Sequence, residues 1–322
     1  MNTDFTSHFA ERLYGFLEQK RALGYCYSNI TEFKLFDRMC SDKFPNEAAL
    51  TADICNTWAI RRGAESVKSS GSWSAFIREF ARYLIRNGEQ AFVLPVGTEK
   101  KPKRYVPHIY SHTELDEMWR AFDKITPTKL YPAAHAIMPT LIRLLYCCGM
   151  RPSEALNLRA DDINLSSGKV FIAESKGNRE RIVMLADDVL KMCRDYDKLI
   201  SGCIPNRNYF FAKSSTAACS YSWVSGIFRK TRDKLSIESR SDYPPRLYDL
   251  RHTFATHRLY QWMRDGKDLY AAMPYLSSYM GHANLTETFY YIHLVPGMLE
   301  SMSGFKYESV RHLFPQAVEV DE

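Results

Sequence analysis

Long hydrophobic runs are missing from this sequence. No segment approaches the roughly 18 consecutive apolar residues that a membrane-spanning helix requires. The amino-terminal segment carries Asp4 and Glu11 at positions where a secretory signal peptide would be apolar. We therefore expect a cytoplasmic protein that has neither a membrane helix nor a signal peptide.

Cysteine pairs at metal-binding spacing are also missing. The eight cysteines are scattered along the chain, and none forms a CxxC or CxxH pair. We expect reduced thiols that are mostly buried, and no metal site. Cys147 and Cys148 are adjacent in the apolar run LIRLLYCCGM, which favours core packing over redox chemistry.

A strong excess of one charge is absent too. Lysine and arginine total 43 and aspartate and glutamate total 37, which gives a net charge of +6. This excess permits a polyanionic partner but does not require one. The hydrophobic fraction of 45% is typical of a globular protein, and 322 residues are enough for about two domains.

The first part of the chain has the pattern of a helical domain. Apolar residues recur at helical spacing over 1–94, which predicts four helices. Thr51 is a predicted helix start, Ser70 or Ser72 begins the last helix, and Gly88 ends it.

The segment 95–110 has the composition of a linker. It contains three prolines, a glycine and a basic cluster formed by Lys100, Lys101, Lys103 and Arg104. The cluster is either a nucleic-acid-binding element or a solvated linker.

A second domain is predicted from residue 111, where Ser111 and Glu114 form a capping box. Two β-rich runs around the turn at Lys176 predict a hairpin. Helical patterns cover 136–148, 186–200, 221–235, 249–264, 270–280 and 284–293. The predicted fold class is mainly α with a small antiparallel β-sheet.

Arg151 and Lys176 are candidates for binding an anion. Arg151 lies between Gly149, which ends one helix, and Pro152, which suits the first turn of the next. We expect its guanidinium to face outward beside free backbone amides, where it suits a phosphate. The alternative is an ion pair with Glu154. Lys176 either reaches into a neighbouring groove or is a solvated turn residue.

Further candidates follow along the chain. Tyr248 and Arg251 are three residues apart and share one helical face, although Arg251 alone also fits a surface position on an amphipathic helix. His282 follows Gly281 at a predicted helix end, and Tyr291 lies nine residues later, so both can border one pocket. Tyrosine occurs 20 times, so Tyr291 alone does not indicate catalysis.

The order of these motifs resembles that of the tyrosine recombinase, or phage integrase, family. The family pattern is an arginine in a GxRxSE box, a lysine in a GKG-like hairpin, HxLRH, LGH, and a nucleophilic tyrosine nine residues later. The matching segments here read GMRPSEALNL, ESKGNRER, RLYDLRHTF and YMGHANLTETFYYIH. The resemblance covers about 110–295, and the match of the amino-terminal region depends on helix count alone.

The resemblance implies an architecture and partners. It implies a two-domain C-shaped clamp with a helical, SAM-like core-binding domain at 1–94, a basic linker at 95–110 and a catalytic domain at 111–322. Double-stranded DNA is the implied partner, bound in the nucleoid by a homo-oligomer, a tetramer on two sites. No cofactor is implied. The tail 296–322 would pack either onto a neighbouring protomer or into its own core.

The resemblance also implies roles for individual residues. Arg151 and Arg251 would neutralise the scissile phosphate. Lys176 would protonate the leaving oxygen, and His282 would orient the phosphate or accept the proton of the nucleophile, Tyr291.

Three neighbouring residues modify this assignment. Tyr248 stands where most members have histidine, and a phenol with a pKa of about 10 donates a hydrogen bond but accepts a proton poorly at neutral pH. We interpret His252 as structural or DNA-orienting. Tyr290 is a rival nucleophile that the nine-residue spacing disfavours.

The expected function is site-specific DNA recombination through a 3′-phosphotyrosyl intermediate, for the integration, excision or transposition of a mobile element. One alternative is a catalytically silent DNA-binding accessory protein, which only Tyr248 favours. The other is a DNA-relaxing enzyme similar to the type IB topoisomerases.

Overall fold

The computed structural model describes residues 5–25, 30–60, 67–96, 105–127, 133–173, 180–237 and 243–294. The chain divides into two compact units, Met1–Arg104 and Tyr105–Glu322. Most described residues are helical, and the strands form one small antiparallel sheet. The predicted fold class is therefore confirmed, whereas the clamp arrangement stays a prediction. No helix in the described ranges is long and apolar enough to span a membrane.

The first unit contains the four predicted helices. They are α1 (Ala10–Ala22), α2 (Thr31–Lys43), α3 (Ala52–Ala59) and α4 (Val67–Arg86). The hydroxyl of Thr51 accepts a hydrogen bond from the backbone N–H of Ile54, which is the predicted cap of α3. Gly88 follows the end of α4 with a φ of +85°, as its predicted role requires.

The predicted start of α4 at Ser70 or Ser72 is wrong, because the helix begins at Val67. Ser72 does not cap the helix. Its hydroxyl donates instead to Glu32 on α2, at 2.6 Å. The unit has an aromatic core of fully or nearly fully buried rings: Phe9, Phe16, Phe33, Phe36, Trp58, Phe76 and Phe80.

The second unit begins with the predicted capping box. The Ser111 hydroxyl accepts from the backbone N–H of Glu114, and the Glu114 carboxylate accepts from that of Ser111. The helices that follow are α5 (His112–Asp123), α6 (Ala134–Cys147), α7 (Pro152–Asn157), α8 (Asp187–Cys203), α9 (Tyr221–Arg232), α10 (Asp249–Arg264), α11 (Leu269–Met280) and α12 (Thr286–Phe289). A 3₁₀ helix covers Tyr290–Leu294, where the sequence predicted a continuous α-helix.

The sheet contains the two predicted strands and one more. Its order is β1 (Ile163–Asn164), β2 (Lys169–Ile172) and β3 (Arg181–Met184), all antiparallel. Val170 pairs with Val183, and both are fully buried. Since alternate residues of a strand share a face, this register also directs Arg181 towards the core.

The apolar helix α6 forms the centre of the second unit. It packs against α5, α8 and α10, while α10 also contacts α11 and the 3₁₀ helix that contains Tyr291. Arg251 in the first turn of α10 donates hydrogen bonds to the carbonyls of Gly149, just after α6, and Met280, at the end of α11, so these ends lie close to the start of α10.

The cysteines are unpaired wherever the structure describes them, and most are buried, as predicted. Cys148 is buried and Cys147 is half-buried, in agreement with core packing. Burial raises the pKa of the Cys147 thiol to about 11. Cys203, at the end of α8, is exposed.

Candidate active site

Arg151 lies at the junction of α6 and α7. Gly149 follows α6 with a φ of +58°, a conformation that glycine adopts without the steric cost of a Cβ. Pro152 is the first residue of α7, as predicted. Only 8% of Arg151 is exposed, so the prediction that its guanidinium faces outward is wrong.

The Arg151 guanidinium turns inward because its hydrogen-bond acceptors lie there. Nη1 donates to Oε1 of Glu154 at 2.7 Å, and Nη2 donates to the carbonyl of Gly281 at 3.0 Å. The ion pair with Glu154, which was the alternative interpretation of Arg151, is therefore present. Burial opposes the charge of Arg151, but Glu154 and Tyr248 raise the pKa of the guanidinium above its ordinary value.

Arg251 on α10 is 1% exposed, so it is not a surface residue of an amphipathic helix. Nη1 donates to the carbonyl of Gly149 at 2.6 Å, and Nη2 donates to that of Met280 at 2.7 Å. Nε is buried without a hydrogen-bond partner among the described residues. Burial, and then Arg151, lower the pKa of Arg251, yet an arginine stays charged at any physiological pH.

Both arginines are held by helix carboxyl ends. Gly149 follows α6, and Met280 and Gly281 end α11. Carbonyl groups at this end of a helix lack intrahelical partners and carry the negative end of the helix dipole. Two buried guanidinium groups therefore meet partial negative charge on the backbone, which in the case of Arg151 adds to the ion pair with Glu154.

Glu154 and Arg181 form an ion pair next to Arg151 and Arg251. Nη1 and Nη2 of Arg181 donate to the two carboxylate oxygens of Glu154 at 2.9 Å and 2.7 Å. Nε donates to the carbonyl of Tyr279 at 2.8 Å. Arg181 was not predicted, because the strand reads Arg-Ile-Val-Met and either alternate pair could face the core.

His282 follows Gly281, which ends α11 in the left-handed conformation with a φ of +65°. Nδ1 of His282 lies 2.6 Å from the hydroxyl of Thr288, a second residue of the site that the sequence motifs did not predict. Burial, followed by Arg251 and Arg151, lowers the pKa of His282 to about 3. The imidazole is therefore neutral at physiological pH.

Tyr291 is 3% exposed and stacks on His282, with ring centroids 5.9 Å apart and ring planes 14° apart. Burial raises the pKa of the phenol to about 12, although Arg251 and Arg151 act in the opposite direction. The hydroxyl is therefore protonated at physiological pH. Tyr290 is only half-buried, with its ring 5.9 Å from that of Tyr291.

Tyr248 precedes α10, and its ring centroid lies 5.2 Å from that of His252. The His252 ring lies 5.5 Å from the ring of Tyr291, and its Nδ1 is buried without a hydrogen-bond partner among the described residues. Burial, followed by Arg251, lowers the pKa of His252 to about 3. This neutral ring packs among tyrosines.

The structure brings five of the six predicted catalytic residues together around the end of α11. They are Arg151, Tyr248, Arg251, His282 and Tyr291. Lys176 lies outside the described residues, as do Lys100, Lys101, Lys103 and Arg104. Within the described ranges, no group of three or more His, Cys, Asp or Glu side chains is placed to hold a metal ion.

This arrangement suits a phosphodiester. Two guanidinium groups retain N–H donors beyond those engaged by the backbone and Glu154, and a buried phenol lies beside them. Planar guanidinium groups bind phosphate oxygens through paired hydrogen bonds.

Comparisons with known proteins agree with this chemistry. Residues 111–297 match the model of the phage integrase family. The chain is 28% identical over 286 residues to the tyrosine recombinase XerC of Bacillus subtilis, covering 85% of this chain and 86% of XerC. It is 29% identical over 244 residues to XerD of Staphylococcus saprophyticus, covering 74% and 75% of the two chains.

Solved structures show the same fold. The XerH recombinase in a post-cleavage complex with its difH substrate has a TM-score of 0.61 at 17% identity, covering 85% of this chain and 78% of XerH. The Tn1549 transposon integrase in complex with circular intermediate DNA has a TM-score of 0.60 at 16% identity, covering 94% and 97%. The protein therefore belongs to the phage integrase family and is a tyrosine-type recombinase.

Proposed function

We propose that this protein cleaves and rejoins DNA strands at specific sites through a 3′-phosphotyrosyl intermediate, and that it serves the integration, excision or transposition of a mobile element. The observation that carries the proposal is the meeting of two buried guanidinium groups, an imidazole and a phenol at the end of α11.

In the first step, the hydroxyl oxygen of Tyr291 attacks the scissile phosphorus. An O–P bond to the tyrosine forms, the bond from phosphorus to the 5′-oxygen breaks, and the phenolic proton passes to a non-bridging oxygen of the phosphate or to water. Lys176 protonates the departing 5′-oxygen. Reversal by a 5′-hydroxyl of another strand joins the DNA without ATP, because the phosphotyrosyl bond replaces one phosphodiester with another.

Arg151 and Arg251 stabilise the charge that develops on the non-bridging oxygens in the transition state. Both are already fixed by backbone carbonyls, so little reorganisation is needed when the phosphate binds. The His282 imidazole stacks on the Tyr291 ring and orients the phosphate, whereas its pKa of about 3 makes it a weak base for the phenolic proton.

The wider assembly belongs to the same proposal. The helical region 1–94 acts as a core-binding domain, the basic linker 95–110 contacts the DNA backbone, and a tetramer holds two sites. The tail 296–322, which lies outside the described residues, either packs on a neighbouring protomer or into its own core.

The test is to trap the covalent intermediate on a nicked suicide site. The unaltered protein is expected to form an adduct that resists denaturation, and Tyr291→Phe is expected to form none, because the nucleophilic oxygen is gone. The matched control is Tyr290→Phe, which removes a hydroxyl next to the site and should leave the adduct in place.

Three outcomes contradict parts of the proposal. An adduct that persists in Tyr291→Phe but is lost in Tyr290→Phe shows that the nucleophile is Tyr290 and not Tyr291. DNA binding without any adduct identifies the protein as an accessory factor. Relaxation of a single plasmid without pairing of two sites identifies a topoisomerase-like activity.

A further inference from the structure

Arg181 connects three parts of the catalytic unit. It lies at the start of β3, its Nη atoms bind both oxygens of Glu154, and its Nε binds the carbonyl of Tyr279 at the end of α11. Its side chain is 7% exposed, and that of Glu154 is 1% exposed. Bidentate pairs of this kind fix the orientation of both partners.

The Glu154 carboxylate also lies within reach of the two arginines assigned to the phosphate. It accepts a hydrogen bond from Nη1 of Arg151 at 2.7 Å, and its Oε2 is 3.9 Å from Nη1 of Arg251. Three guanidinium groups therefore share one carboxylate, and the cluster has a net charge of +2. Without Arg181 the net charge of the cluster would be +1. The Glu154 carboxylate would then pair only with Arg151 and Arg251, the arginines assigned to the phosphate.

Arg181 also packs against the turn that leads to His282. A Cβ placed on Gly281 would lie 2.8 Å from Nη1 of Arg181, so the guanidinium occupies the space that a side chain at position 281 would need. The carbonyl of this same Gly281 accepts a hydrogen bond from Arg151. The position of Arg181 is therefore linked to that of Arg151 through the turn as well as through Glu154.

We propose that Arg181 is a positioning residue for strand cleavage: it binds the Glu154 carboxylate so that Arg151 and Arg251 keep their positive charge for the scissile phosphate, and it fixes the turn before His282. This inference rests on the proposed function. It assigns Arg181 no contact with the DNA. A carboxylate that lacks its own cation in this low-dielectric pocket would oppose the negative transition state, since an uncompensated charge acts strongly where water is excluded.

The core of the test compares the unaltered enzyme with Arg181→Gln, Glu154→Gln and the double variant. The rate of adduct formation is measured at saturating suicide DNA, with DNA affinity and melting temperature measured in parallel. Arg181→Gln is expected to slow cleavage by about 100-fold, the size of effect that one nearby charge produces at intermediate dielectric. The loss should appear in the rate at saturation more than in the affinity.

Adding Glu154→Gln to Arg181→Gln distinguishes electrostatic positioning from simple loss of structure. If Arg181 acts by binding the carboxylate, the double variant should cleave about tenfold faster than Arg181→Gln, because the uncompensated charge is gone. Arg181→Lys should fall between the unaltered enzyme and Arg181→Gln, because it keeps the charge but loses the bidentate geometry.

Arg194→Gln is the matched control. Arg194 is an exposed arginine on α8 that also donates to backbone carbonyls, those of Leu165 and Ser166. Its replacement removes the same charge and should leave the cleavage rate unchanged.

Two results would overturn the inference: cleavage by Arg181→Gln within about threefold of the unaltered rate, or a double variant no faster than Arg181→Gln. If Arg181→Gln does not fold, the double variant decides the test. It leaves no unpaired buried charge, so it should fold and cleave within about tenfold of the unaltered enzyme, and a greater loss rejects the inference. An unaltered protein that forms no adduct rejects the proposed function instead.

Discussion

His282, which is buried, and His252, which is half-buried, remain neutral over the whole physiological pH range. Burial and the neighbouring Arg251 lower the pKa of each imidazole to about 3, whereas burial raises the pKa of Tyr291 to about 12. Arg151 and Arg251 stay charged at any such pH. None of these groups therefore titrates near neutral pH.

We accordingly expect the rate of adduct formation to show no inflection near pH 6.5, where an unperturbed histidine titrates. Because the folded pKa values are depressed, the neutral imidazoles persist as the pH falls from 7.5 to 5.5. Single-turnover cleavage measured across this range checks the prediction. A tenfold fall in rate centred on pH 6.5 would show that one of these rings is accessible to protons in the active complex.

The order of the sequence motifs identified most residues of the pocket, but it did not predict their burial or their hydrogen-bond partners. Arg251 and His282 were located by their motifs, yet Arg251 alone also fitted a surface position, and its burial depends on carbonyls from α6 and α11 that are remote in sequence. Arg181 was missed because its inward direction depends on the pairing of Val170 with Val183. Long-range partners of this kind leave no signal at short spacing.

At the scale of helices, the ends of α6 and α11 determine the shape of the pocket. Each end is followed by a glycine with a positive φ, Gly149 and Gly281, and each supplies carbonyls to the arginines. A side chain at Gly281 would meet both an unfavourable backbone conformation and the Arg181 guanidinium.

We therefore expect Gly281→Ala to lower the stability by about 1–3 kcal/mol and to slow adduct formation, because the turn that carries His282 must shift. Chemical denaturation and single-turnover cleavage check the two effects. Gly88→Ala is the matched control. Gly88 also has a positive φ, of +85°, but a Cβ there would meet no atom within 4 Å. It should lose less free energy of unfolding, because only the backbone conformation is unfavourable there, and keep the cleavage rate, so equal rates for the two variants would contradict the prediction.

Helix boundaries were predictable where a local signal exists. α10 covers the predicted 249–264, and Ser111 with Glu114 begins α5 as expected from the capping box. The change from α-helix to 3₁₀ helix at Tyr290 was not predictable, because the apolar spacing continues through 284–293. The tighter turn occurs where Tyr291 packs against His252 and His282, and those contacts are tertiary.

At the scale of the whole molecule, DNA affinity is expected to depend on the basic linker. Each lysine or arginine that contacts a phosphate releases counterions, which makes the affinity fall with salt concentration. Replacing Lys100, Lys101, Lys103 and Arg104 by glutamine should reduce the slope of log affinity against log salt by up to about 3.6, or 0.9 per contact. Titrations at several salt concentrations measure the slope.

The control for this variant is Lys191→Gln. Lys191 is exposed on α8, 3.6 Å from Asp195, and its replacement should leave the slope unchanged. An unchanged slope in the fourfold linker variant would mean that the cluster is only a solvated linker.

The distribution of thiols has a practical consequence for observing this enzyme at work. Buried cysteines, and the half-buried Cys147, have raised pKa values and react slowly with maleimides, since the thiolate is the reactive species. Cys203 is the one exposed cysteine in the described ranges. With Cys26, which lies outside those ranges, replaced by serine, a single fluorophore attached at the end of α8 becomes a reporter for following the assembly of individual complexes in real time.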